Sequence, residues 1–200
     1  MKKILLLTLT VASGFSGARA AEFSPCTAEA YFSTRNDEGG LNSHNEAVEV
    51  ANLVCTGVIQ LEDYEATRNG LGGSNSHSEA LLVAKFAKKN VINLYDYTST
   101  RLGRGVNTHG ESLEAAFLIK AVKIDLYDYM ATRNGLGGIN TQKEALEVAL
   151  LVKSGRMSLP DYTATRFGIG GFNTHKQALS VALTTWAKNV NLGRSPLVSL

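Results

Sequence analysis

Apolar residues recur at helical spacing in one stretch after another. Ala47, Val50, Ala51 and Val54 fall at i, i+3, i+4 and i+7, and Ala145, Val148, Ala149 and Val152 repeat that order. Such a stripe predicts an amphipathic helix. Alanines 51, 84, 116, 149 and 182 hold one stripe position in five successive stretches. A residue that small lets neighbouring helices approach closely. The polar positions mark where each helix starts. Ser43 is followed three residues later by Glu46, Ser76 by Glu79, Thr108 by Glu111, Thr141 by Glu144 and Thr174 by Gln177. This is the capping box, in which hydroxyl and carboxylate (or amide) satisfy reciprocal backbone N–H groups. Gly57, Asn90 and Gly155 stand where three of these long helices should stop in a left-handed turn. Val122 stands there in the third stretch and marks its end less clearly.

A shorter helix is predicted after each turn. Gln60, Asn93, Asp125 and Ser158 occupy its N-cap, and Asp63, Asp96, Asp128 and Asp161 follow three residues on, which predicts further helix capping. Pro160 lies just inside the last one, where proline is tolerated. Ile59, Ile92, Ile124 and Met157 precede Tyr64, Tyr97, Tyr129 and Tyr162 by five residues. That is the spacing of a hydrophobic staple, so the tyrosines should pack inward. The short helices end at Thr-Arg pairs, and Gly70, Gly103, Gly135 and Gly168 follow as expected C-caps, with Asp37 in the first copy.

Taken together the pattern repeats five times. Tyr31, Tyr64, Tyr97, Tyr129 and Tyr162 are spaced 33, 33, 32 and 33 residues apart, each followed by Thr-Arg, a glycine-rich loop and an asparagine. A fixed period of this size signals a solenoid built from one repeated unit. The expected fold is all-α, an αα solenoid of five repeats of about 33 residues. It has about ten short helices in antiparallel pairs, the first near 27–35 and the last near 175–188. Residues 189–200, with Gly193 and Pro196, read as a tail, and nothing suggests strands or a second domain.

In period, helix count and small-residue stacking the array resembles the tetratricopeptide class of helical repeats, over nearly all of residues 21–200. The resemblance is architectural: that family's Trp-x-x-Leu-Gly-x-x-Tyr pattern is missing. The class implies a scaffold that binds peptides or proteins. No ligand-contacting residue carries over from it.

Composition changes the picture at the N-terminus. Met1-Lys2-Lys3, a short apolar run from Ile4 to Val11 and Ala18-Arg19-Ala20 form the pattern of a cleaved signal peptide over residues 1–20. The run is too short to span a bilayer. The protein is then expected to be secreted or periplasmic, with one domain over 21–200. Removing Lys2, Lys3 and Arg19 reduces the 20 Lys+Arg to 17 against 18 Asp+Glu, a net charge of −1. No basic footprint for nucleic acid remains. Cys26 and Cys55 are candidates for a disulfide in such a compartment, worth about 3–4 kcal/mol for a loop of this length.

Three rows of polar residues are the candidate chemistry. Arg35, Arg68, Arg101, Arg133 and Arg166 each lie beside a glycine loop and a helix N-terminus, a combination that suits anions. The competing expectation is structural: these arginines bond local carbonyls or pair with the capping-box carboxylates. His44, His77, His109 and His175 share one place, at the start of the long helix, with Gln142 in the fourth copy. There the macrodipole disfavours imidazolium, and packing on a neighbour competes with ligand contact. Asn42, Asn75, Asn107, Asn140 and Asn173 precede the caps and should fix the turn by bonding backbone. No ligand cluster for a metal, no phosphate loop and no cofactor motif occurs. The third loop is one residue short and carries an extra Arg104, so a unique site would be sought there. The expected function is an exported, non-enzymatic scaffold for a peptide, protein or cell-envelope component. A hydrolase of envelope polymers and a purely structural spacer are the alternatives.

Overall fold

The computed structural model describes residues 25–36, 42–68, 75–102, 107–135, 140–168 and 173–193. The leader 1–20, Arg104, Gly70 and Gly103 lie outside them. The described residues form ten helices and no strand. In order these are α1 (Pro25–Asn36), α2 (His44–Cys55), α3 (Leu61–Arg68), α4 (His77–Lys88) and α5 (Leu94–Leu102). They continue with α6 (His109–Lys120), α7 (Leu126–Arg133), α8 (Gln142–Lys153), α9 (Leu159–Phe167) and α10 (His175–Asn191). Odd helices pack on the even ones that follow, giving the expected array of five pairs. The last helix runs three residues past its expected end.

All five capping boxes form, at Ser43, Ser76, Thr108, Thr141 and Thr174. The alanines of the stripe are fully buried, as are Tyr64, Tyr97, Tyr129 and Tyr162 beside their staple residues. Each apolar cluster draws on more than one pair. Val50 of α2 packs with Ile59 and Tyr64 at α3 and with Ala80, Leu81 and Ala84 of α4. Val148 of α8 packs in the same way with Met157, Tyr162, Ala178 and Ala182. Fully burying one such aliphatic side chain contributes about 1.5–3 kcal/mol. A pair on its own would leave half that contact undone, so the array is the folding unit. At its C-terminal end Val181, the equivalent of buried Val50, Val83 and Val148, is 48% exposed. Thr184 replaces the Leu53, Phe86, Leu118 and Leu151 of earlier pairs, a polar ending of the kind terminal repeats need.

The turns after the long helices are alike in four copies, including the third. Gly57, Asn90, Val122 and Gly155 all have positive φ, between 55° and 72°. The residue after each donates to a carbonyl five residues earlier: Val58 to Leu53, Val91 to Phe86, Lys123 to Leu118 and Arg156 to Leu151. This is the Schellman motif. Val122 adopts it despite its branched Cβ, a conformation costing roughly 1–2 kcal/mol.

Two local expectations are corrected. Asp125 and Ser158 make no side-chain cap, and Asp63, Asp96, Asp128 and Asp161 make no reciprocal bond to the N-cap backbone among the described residues. Aspartate is one methylene shorter than the glutamate that closes a capping box, and does not reach back. Among the described residues Asn93 does cap, accepting from the Tyr95 N–H at 2.9 Å. Gly168 is the C-cap of α9 as expected, whereas α7 is capped one residue before Gly135, by Asn134, and neither glycine has positive φ. A Cβ at either would collide with the carbonyl four residues earlier, Ala131 O or Ala164 O, so close backbone approach demands the glycine.

Cys26 of α1 and Cys55 of α2 form a disulfide, with Cα atoms 5.8 Å apart.

Candidate functional site: a polar ladder across the repeats

The N-terminal end of each long helix meets the C-terminal end of the short helix before it, and the three polar rows converge there. Asparagine is the hub. Asn42, Asn75, Asn107 and Asn140 are buried, and the Nδ2 of each donates to the carbonyl of the threonine ending its own short helix. Those carbonyls are Thr34 O, Thr67 O, Thr100 O and Thr132 O, at 3.1, 2.8, 2.8 and 2.8 Å. The asparagines thus bond backbone as expected, to a carbonyl seven or eight residues earlier.

The Oδ1 of each asparagine faces the next repeat. Asn42 Oδ1 accepts from Arg68 Nε at 3.1 Å, and Asn75 Oδ1 from Arg101 Nε at 3.3 Å. Asn107 Oδ1 accepts from Arg133 Nε at 2.9 Å, and Asn140 Oδ1 from Arg166 Nε at 3.1 Å. Arginine only donates and the threonine carbonyl only accepts, so the amide orientation is fixed by its neighbours. The same arginines donate through Nη1 to the backbone carbonyl of their own asparagine, at 2.6 Å for Arg68, Arg101 and Arg133. Arg166 makes the equivalent bond to Asn173 O. Four of the five arginines therefore tie loop ends within a repeat and asparagines between repeats. Arg35, in the first pair of the described residues, is exposed.

Tyrosine and histidine extend the hub. Tyr64 Oη lies 2.9 Å from Asn42 Oδ1 and 2.8 Å from His77 Nδ1. Tyr97 Oη lies 3.1 Å from Asn75 Oδ1 and 2.9 Å from His109 Nδ1. Tyr162 Oη lies 3.3 Å from Asn140 Oδ1 and 2.9 Å from His175 Nδ1. Tyr31 and His44 make the same pair at 2.9 Å. Burial, above all other causes, pushes the hydroxyls of Tyr64, Tyr97, Tyr129 and Tyr162 above their ordinary pKa, so each keeps its proton. Beyond the ring, His77 Nε2 reaches Glu49 Oε2 of the previous repeat at 3.1 Å, and His175 Nε2 reaches Glu147 Oε2 at 3.2 Å. His109 finds Leu82 at the carboxylate position, and burial, ahead of opposing Glu79 and aiding Arg101, lowers its pKa.

The junction between the third and fourth repeats breaks the rule. Gln142 replaces histidine and donates to Glu114 Oε2 at 2.6 Å. Tyr129 Oη, fully buried, is left with no hydrogen-bond partner among the described residues. No group of three His, Cys, Asp or Glu able to hold a metal occurs among the described residues.

The opposite edge, formed by the turns and the starts of the short helices, has a different character. Tyr95 and Tyr127 occupy the same position in successive central repeats and are 67% and 76% exposed. Two residues later along each helix, Tyr97 and Tyr129 point the other way and are buried. Val91 and Val122 lie exposed in the adjoining turns. Lys120 Nζ donates to Asn90 Oδ1 at 2.6 Å, and Lys153 pairs with Asp125 at 3.0 Å, linking the same turns. Sequence reasoning passed over Tyr95 and Tyr127. Their signal was asymmetry, because Glu62 and Pro160 hold that position in the flanking repeats.

Comparison with protein-family models, curated proteins and solved structures finds no match to this chain.

Proposed function

We propose that this is an exported, non-enzymatic αα-repeat scaffold that binds a protein, peptide or cell-envelope component. The exposed Tyr95 and Tyr127 edge is the contact surface. The observation that carries this reading is their exposure, in register on neighbouring repeats, while the Arg, Asn and His rows are spent largely on bonds within the array. Aromatic side chains offer large contact area at low entropic cost and are enriched where proteins bind partners. The disulfide supports an oxidising compartment, in keeping with the leader-like first twenty residues.

A structural spacer is the second reading, favoured by how fully the ladder satisfies itself. One experiment separates them. Purified protein is co-sedimented with isolated bacterial cell-envelope sacculi, beside the double variant Tyr95→Ser, Tyr127→Ser and the ladder variant Arg68→Gln. Retention lost at least tenfold in the tyrosine variant and kept in the ladder variant supports the proposed surface. Retention lost only in the ladder variant moves the surface to the loop edge. No retention of the parent protein removes the envelope polymer from the candidate partners.

A further inference from the structure

We propose that the Cys26–Cys55 disulfide is a redox latch on the N-terminal end of the array. Oxidised, it holds α1 against α2; reduction by a dithiol releases α1, while the pairs from α3 onward stay folded. The register of the two cysteines points to this role. Cys26 stands five residues before Tyr31, the place that the staple residues Ile59, Ile92, Ile124 and Met157 hold in the later pairs. Cys55 stands four residues after Ala51, where Lys88, Lys120 and Lys153 follow their own stripe alanines. In the first pair a covalent bond thus takes over from the apolar staple.

The later staples work because a long helix precedes them. Ile59 is fully buried and packs with Val50 of α2 as well as with Ala80 and Ala84 of α4. No helix precedes α1 among the described residues, so an isoleucine at position 26 would lack part of that contact. The rest of α1 is thin in apolar packing. Ala28 takes the place of Leu61, Leu94, Leu126 and Leu159. The side chains that α1 buries fully among the described residues are Ala30 and Thr34, both small, while Phe32 is 58% exposed. None of the four apolar clusters of described residues contains a residue of α1. Polar links remain: Asn42 Nδ2 to Thr34 O at 3.1 Å, Ser33 Oγ to Glu65, and Tyr31 Oη with His44 Nδ1 at 2.9 Å, the last at the surface. Each such bond adds little net stability, and a helix of 12 residues is marginal alone in water.

Both cysteines are exposed, which leaves the bond open to a thiolate from solvent. One sulfur of the dithiol attacks a cysteine Sγ, the S–S bond breaks, and the other cysteine leaves as a thiolate that takes up a proton. The second sulfur of the dithiol then attacks the first within the mixed disulfide and releases the remaining cysteine, which is protonated in turn. Two electrons pass to the cysteines, and the dithiol closes to its own disulfide. The array survives the departure of α1, because Val50 of α2 keeps its packing with Ile59 and Tyr64 at α3 and with α4.

The test is hydrogen exchange of the intact protein at neutral pH, read by mass spectrometry with and without dithiothreitol, beside the double variant Cys26→Ser, Cys55→Ser. Titration of free thiols establishes that the bond has opened. Exchange in residues 25–36 should be at least about 100-fold faster in the reduced protein and in the variant, with residues 159–167 changed by less than about twofold. Protection of α9 in the same sample shows that the array is folded, and the reduced parent protein decides the matter where the variant does not fold. Unchanged protection of α1 with both thiols free would overturn the proposal. So would equal acceleration in α1 and α9, which would make the disulfide a staple of the whole fold. A bond that dithiothreitol reduces only after urea has unfolded the protein would overturn it as well.

Discussion

The first and third junctions of the array are built from the same parts and reach different ends. At the first, Asn42, Arg68, Tyr64, His77 and Glu49 form one continuous chain from a buried amide to a surface carboxylate. At the third, Asn107 and Arg133 keep their bond, while Gln142 turns to Glu114 and the buried Tyr129 hydroxyl has no partner at hydrogen-bond distance among the described residues. The apolar packing is the same in both: Tyr64 and Tyr129 are equally buried against their isoleucines. The comparison shows that a junction keeps its apolar packing and its Asn–Arg bond without the Tyr–His link. The full polar chain adds register and coupling on top of these. An unsatisfied buried hydroxyl costs about 1–3 kcal/mol, so the third junction is the weak one.

The largest expected effect comes from removing a hub. Asn75→Ala deletes the bonds to Thr67 O, Tyr97 and Arg101, and should lower the unfolding free energy by about 3 kcal/mol or more in urea titration. Asn173→Ala, whose side chain among the described residues bonds only Thr165 O, should cost about 1 kcal/mol. Equal losses would mean that the coupling between repeats contributes nothing. Next comes repair of the weak junction. Gln142→His gives Tyr129 the imidazole it lacks and should raise stability by about 1 kcal/mol. A loss there would show that the Glu114 bond matters more than the hydroxyl.

A comparable gain, of about 1 kcal/mol, is expected from Val122→Gly, because only this turn places a β-branched residue at positive φ. An unchanged melting temperature would indicate that the loss of chain stiffness cancels the relieved strain. The smallest effect is on the acid side. Glu46 and Glu79 sit below their ordinary pKa of 4.5, chiefly because each accepts from the backbone N–H of its own capping serine. Their contribution is complete above that value and is lost as pH falls through the lower folded one. Asp63, Asp96 and Asp128, raised above 3.8 mainly by burial, act in the opposite sense and are relieved as pH falls through theirs. Glu79→Gln should therefore flatten the acid limb of the stability–pH curve, whereas Ser76→Ala, which keeps the backbone N–H that holds Glu79 down, should leave most of that limb in place while removing a cap worth about 1 kcal/mol.

Most of the fold was legible because local rules and the repeat agree. Capping boxes, staple spacing and alanine stripes each name a position, and five copies turn a weak signal into a strong one. The failures have physical causes. The aspartates mimic a capping box in spacing but are too short to close it. Gly135 lies one residue past the cap of its helix, and both it and Gly168 serve close approach to a carbonyl, which spacing does not reveal. Val122 adopts a turn that its own side chain disfavours, because the Schellman bonds and the neighbouring repeats impose it. The candidate rows were found as rows, but their mutual bonding was not. That Asn Oδ1, Arg Nε and Tyr Oη from adjacent repeats meet at one point depends on superhelical stacking, which a one-dimensional period leaves open. Tyr95 and Tyr127 were hidden for the opposite reason: they depart from the repeat, and attention to what recurs passes over what does not.

The most direct test of the coupling account is a pair of single-atom deletions, Tyr64→Phe and Tyr129→Phe, compared by urea unfolding under identical conditions. Both remove a buried hydroxyl from the same place in the repeat and leave the ring packing intact. A loss of about 1–2 kcal/mol for Tyr64→Phe, with no loss or a slight gain for Tyr129→Phe, is the predicted result. Equal losses at the two positions would contradict it.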